Sequence, residues 1–190
     1  MNRAIPGHLR HFGRTVLAPA ASRLIQLATG RPRWQKVALA IVLGWINAIP
    51  AQAADITVEA GPSWTKGQRS TAAAFVTALG KERSFGRLQW QPEFDLGMVK
   101  SRHVALKNLD RTVWVAAAGA RIPHMWKHLF FSFQVAAATP HTGALSSTPQ
   151  FVSSLGWQQG RVVVMLRHIS NGSTHEPNYG ESMLLLGMRF

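Results

Sequence analysis

Near the C-terminus the chain reads Arg167-His168-Ile169-Ser170-Asn171. A serine hydroxyl becomes a useful nucleophile when a neighbouring base removes its proton, and a third group must fix that base in the right tautomer. Residues two apart in an extended strand leave the same face, so His168 and Ser170 lie together, on the face carrying Val162, Val164 and Leu166. Glu181 opens the next predicted strand, joined to that of His168 through one loop and antiparallel to it. A carboxylate there can accept the imidazole N–H, which makes Ser170, His168 and Glu181 a candidate ester-hydrolysing triad. Alternation complicates the third member. If Phe190 faces outward, Glu181 falls on the opposite face from His168. The assignment then needs a one-residue bulge, or a register in which Met183 and Leu185 face out. Glu176, in the same loop, is the fallback acid.

The elements that must position these groups read as strands. From Phe85 onward, Leu88, Trp90, Phe94, Leu96 and Met98 alternate with Arg87, Gln89, Gln91, Glu93 and Asp95. Similar segments can be placed at 55–64, 69–79, 85–99, 111–121, 128–138, 150–158, 161–171 and 181–190. Eight strands are the minimum for a bacterial outer-membrane barrel, and each is near the roughly 10 residues that a tilted strand needs to cross a bilayer. Gln158-Gln159-Gly160 is a tight hairpin signal. Seven tryptophans suit interfacial girdles, although Trp34 and Trp45 precede the domain. The last segment closes on Phe190, with Leu184, Leu186 and Met188 in phase. The expected fold is therefore all-β, an eight-stranded antiparallel transmembrane β-barrel. A soluble eight-stranded barrel that binds lipid is the rival architecture.

Composition narrows the function. The formal charge is +13, from 21 Lys and Arg against 8 Asp and Glu. Seven of those bases lie in the first 53 residues, which hold no acid; without them 14 bases face 8 acids, a net charge of +6. Lys36, the apolar run 37–46 and Pro50-Ala51-Gln52-Ala53 form a basic flank, an apolar core and an A-x-A ending. Residues 1–53 are thus expected to be a cleaved signal peptide with a long basic region, and residues 54–190 the barrel domain. Most of the excess charge belongs to the leader, so no nucleic-acid partner is expected. There are no cysteines, which excludes thiolate metal sites. His103, His124, His128, His141 and His175 fall in loops and strand ends without compact ligand spacing, so no metal is expected. Arg102, Arg121 and Lys127 are rim cations able to meet lipid phosphates.

The series His168-Ile169-Ser170-Asn171-Gly172, then Pro177-Asn178-Tyr179-Gly180-Glu181-Ser182, in the last strands of such a barrel, resembles the lipid A 3-O-deacylase family. That family carries His-x-Ser-Asn, then Pro-Asn-x-Gly and Glu-Ser. The sharp match covers about the last 25 residues. The resemblance implies Ser170 as nucleophile, His168 as general base and then acid, and Glu181 as the group orienting His168. It also implies Asn171 as an oxyanion donor beside a backbone N–H of Gly172 or Ser173, and a supporting role for Asn178. The chain departs from the family in two places. The family has one residue between the loop glycine and the glutamate, whereas Gly180 and Glu181 are adjacent here. Ser173 also stands where the family's other glycine tends to sit. What the resemblance implies is a cofactor-free hydrolase that removes the 3-position hydroxyacyl chain of lipid A in the outer membrane of a Gram-negative cell. The sequence is compatible with a homodimer. The competing expectation is a non-catalytic outer-membrane barrel of adhesion or stress type, in which His168 and Ser170 are rim residues.

Overall fold

The computed structural model describes residues 55–68, 70–104 and 108–190. The expected leader, 1–53, lies outside them. The described chain is all β: β1 (Asp55–Trp64), β2 (Thr71–Leu79), β3 (Arg83–Phe85), β4 (Leu88–Val99), β5 (Val113–Trp126), β6 (Leu129–Thr139), β7 (Gln150–Gln159), β8 (Val162–Ser170) and β9 (Glu181–Arg189). Among the described residues no helix is long and apolar enough to cross a membrane.

Neighbouring strands pair antiparallel in the order β2-β1-β9-β8-β7-β6-β5-β4, and β2 pairs with β4 to close the ring. The result is an eight-stranded antiparallel barrel, as the alternation predicts. The ninth strand, β3, is a short hairpin arm on β4. Phe85 is expected to open one strand over 85–99, but Gly86, at φ 60°, turns the chain there and leaves Phe85 at the end of β3. β5 runs past its expected end at Arg121 to Trp126, with a register shift between Ile122 and Trp126.

The barrel is inside-out relative to a soluble one. Glu59, Glu93, Asp95, Arg121 and Arg167 are all buried within it. Arg121 donates to both oxygens of Glu93 at 3.0 Å, and an Arg167 nitrogen lies 2.7 Å from Asp95. Buried charges persist only when paired in this way. Their alternation partners Val58, Val76, Leu96, Leu155, Leu166, Leu184, Leu186 and Met188 are exposed on the outer wall. Val115, Ile169, Met183 and Leu185 are buried in the same interior. Tight turns (127–128, 160–161) gather at the end holding Asp55 and Phe190, where the Phe190 N–H donates to the Ile56 carbonyl. The longer connections, described at 65–68, 100–104, 108–112, 140–149 and 171–180, lie at the opposite end.

Candidate functional site at the outer rim

β8 carries its alternation to the loop end without interruption. Val163, Met165, Arg167 and Ile169 are buried inside, while Leu166 and His168 are exposed outside and Ser170 is half-buried on that same outer face. The expected shared face of His168 and Ser170 is therefore present.

Register places the neighbours. His168 faces Ser153 of β7 on one side and Ser182 of β9 on the other, and Ser182 in turn faces Trp64 of β1. Ser170 faces Phe151, whose ring stacks on Phe133 with centroids 6.1 Å apart. Three serines thus surround one imidazole on an otherwise apolar wall. A cleft of about 380 Å³ opens beside it, bordered by Trp64, Phe131, Leu155 and Leu166.

The imidazole's hydrogen bond is to Ser182, with Nδ1 and Oγ 3.0 Å apart, and not to Ser170. The ring leans toward the β8–β9 loop, against Gly180. A Cβ at Gly180 would stand 2.8 Å from His168 Cε1 and 3.2 Å from Nε2. Gly180 also has φ 65°, so a glycine is needed there twice over, for the backbone turn and for the ring.

Glu181 is not brought to His168. Strand alternation runs unbroken from Phe190 back to Ser182, with no bulge, so Glu181 points into the barrel and is 2% exposed. There Arg102 donates to both its oxygens, at 2.7 and 2.8 Å, and Ser63 Oγ donates at 2.7 Å. This carboxylate closes the interior instead of orienting the imidazole. Glu176, the fallback acid, is exposed in the loop.

Asn171 also departs from its expected role. It is fully buried, and its amide Nδ2 donates to the His175 carbonyl at 2.6 Å and to Ser146 Oγ at 3.0 Å. Both amide protons are committed to holding the loop, so the side chain is not free to meet an oxyanion. Asn178 keeps a supporting place: its Oδ1 accepts the Asn171 N–H at 3.3 Å, and its Nδ2 donates to Ser173 Oγ at 3.4 Å. Gly172 and Ser173, at φ 62° and 61°, form the exposed tip beside Ser170.

The expected rim cations are placed elsewhere. Arg102 and Arg121 are buried in ion pairs, and Lys127 lies over Trp126 at the turn between β5 and β6. Among the described residues no three histidine, cysteine, aspartate or glutamate side chains gather to hold a metal. Sequence reasoning missed Ser182, Gly180 and the partner of Glu181. The first was within reach, because Ser182 is in phase with Phe190, Met188, Leu186 and Leu184.

No known family model matches the chain, and no curated protein does. Among solved structures the chain is similar to the outer membrane protein Ail of Yersinia pestis, solved in a phospholipid bilayer nanodisc. The likeness is at 8% identity and a TM-score of 0.44, over 73% of this chain and 100% of that one.

Proposed function

We propose that this chain is an outer-membrane barrel that hydrolyses an ester-linked acyl chain of a membrane lipid, of the lipid A 3-O-deacylase type. One observation carries the reading: an exposed histidine stands among serines on the apolar outer wall, two residues from the loop end of β8. A structural barrel does not require an imidazole and three hydroxyls together at the edge of that apolar wall. An enzyme acting on a lipid at the boundary between acyl chains and headgroups needs them there.

Ser170 Oγ attacks the ester carbonyl as His168 takes its proton. The imidazolium returns that proton to the departing sugar oxygen. Water, activated by the same imidazole, then releases the 3-hydroxy fatty acid from the acyl-serine. The charge on the tetrahedral oxygen falls to backbone N–H groups of the Gly172-Ser173 tip, since the Asn171 amide is engaged in the loop. Losing one such donor typically costs about 10²–10³ in rate. The cleft lined by Trp64, Phe131, Leu155 and Leu166 lets an acyl chain lie along the wall with its ester at the rim.

The test is mass spectrometry of lipid A from cells expressing the chain. Loss of one ester-linked hydroxyacyl group, abolished by Ser170→Ala, is the expected result. The competing reading, a non-catalytic barrel of adhesion or stress type, is favoured by the engagement of Glu181 with Arg102, which leaves the imidazole without a carboxylate. Unaltered lipid A from a folded, membrane-inserted barrel selects it.

A further inference from the structure

We propose that Ser182 is the positioning residue for His168, holding the imidazole as the Nδ1–H tautomer so that Nε2 keeps its lone pair for Ser170. The proposal rests on the hydrolase reading and assigns the place in that site which Glu181 does not fill. A neutral imidazole carries one proton, and whichever nitrogen has a firm acceptor keeps it. Ser182 Oγ is 3.0 Å from Nδ1, directly across the β8–β9 ladder in register with His168. The hydroxyl is half-buried on the outer face, and the far side of the ring lies over Gly180, where a Cβ would come within 2.8 Å of Cε1. Nδ1–H donates to Ser182 Oγ, and the hydroxyl's own proton turns away.

Ser182 cannot itself take the proton in this arrangement, because a neutral hydroxyl is a far weaker base than imidazole. Its contribution is orientation, and the imidazolium formed in the transition state receives one neutral hydrogen bond where a carboxylate would supply an ionic one. The expected enzyme is therefore slow for its geometry, and most of what Ser182 provides is lost in kcat and not in KM.

The experiment uses the full barrel, refolded in detergent micelles with 15N-labelled histidine, with His168 assigned by comparison with His168→Gln. Wild type and Ser182→Thr are expected to show the Nδ1–H tautomer at His168, and Ser182→Ala to lose that preference. On a lipid A substrate, Ser182→Ala is expected to lower kcat about tenfold, the value of one hydrogen bond, with KM within about twofold. Ser182→Thr is expected to retain the rate. Folding of each variant is checked by heat-modifiable electrophoretic mobility. An unchanged tautomer in folded Ser182→Ala overturns the assignment, whether or not the wild type is active. An inactive wild type whose tautomer still depends on Ser182 overturns the hydrolase reading while upholding the placement of the ring, so the two failures are distinguishable.

Discussion

Removing the Glu181 carboxylate separates the role the sequence suggests for it, orienting His168, from the one its contacts give it, pairing Arg102 inside the barrel. Its oxygens receive both terminal nitrogens of Arg102 and the Ser63 hydroxyl, in a place where Arg102 and Glu181 side chains are 3% and 2% exposed. Glu181→Ala takes the carboxylate away from a buried guanidinium, which keeps the Ser63 carbonyl at 3.4 Å but no neutralising charge from Glu181. Breaking such a pair typically costs about 3–5 kcal/mol, a large share of the roughly 5–15 kcal/mol that holds a domain together. Glu181→Gln keeps the shape and one acceptor, so its cost is set by weakened charged hydrogen bonds, about 1.5–3 kcal/mol. Replacing both partners, Arg102→Met with Glu181→Leu, removes the buried charge and is expected to recover most of the loss.

Urea unfolding of the barrel in lipid vesicles, followed by tryptophan fluorescence, measures these differences. The deacylase rate of the folded fraction is measured beside it. The structural role predicts a large fall in stability for Glu181→Ala, recovery in the double variant, and a rate per folded molecule within about tenfold of wild type. The opposite pattern refutes the reasoning. Were Glu181→Ala as stable as wild type but slower by about 10³ or more, comparable to the loss of a triad acid, the carboxylate would belong beside His168.

Three further outcomes are expected. Gly180→Ala forces a Cβ to within 2.8 Å of His168 Cε1 at φ 65°; it is expected to cost about 1–2 kcal/mol in urea unfolding and to lower kcat by moving the ring. Leu186→Arg, at a position 62% exposed on the outer wall, is expected to lower stability in vesicles by about 2–4 kcal/mol if that wall faces the bilayer midplane. No penalty in vesicles would refute a lipid-facing wall. Asn171→Ala frees the Ser146 hydroxyl and the His175 carbonyl from their donor; limited proteolysis is expected to cut the 171–180 loop faster, with about 1–3 kcal/mol lost. Unchanged proteolysis with a rate loss above about 10² would return Asn171 to the oxyanion role.

Much of the fold is legible because a barrel writes itself in a period of two. Glu93 and Asp95 go in while Leu96 and Met98 stay out, and that pattern alone places β4. Gly86 and the long tail of β5 were less legible, since a turn and a register shift depend on how strands meet at the rim. The site divides the same way. His168 and Ser170 follow from strand parity, which is local. The commitments of Asn171 and Arg102 do not, because their partners lie in other loops. Arg102 and Glu181 are 79 residues apart in the chain, and no spacing announces that a loop cation will turn inward.

Parity also explains why the site has the members it has. A strand slipped by one residue exchanges its two faces. Were β9 to slip so that Glu181 faced His168, Leu184, Leu186 and Met188 would enter the charged interior, and Met183 and Leu185 would leave it. Gly187 would lose its place against Glu59, where even a Cβ would come within 2.6 Å of Glu59 Cγ. Arg102 would lose the Glu181 carboxylate as well, and breaking a buried pair typically costs about 3–5 kcal/mol on its own. No hydrogen bond to an exposed imidazole offsets losses of that size, since such a bond contributes about 0.5–1.5 kcal/mol. With Gly180 directly before Glu181, the apolar wall dictates that the residue opposite His168 is Ser182. The carboxylate locks the barrel's mouth from within, and the hydroxyl one position later is left to hold the imidazole from without.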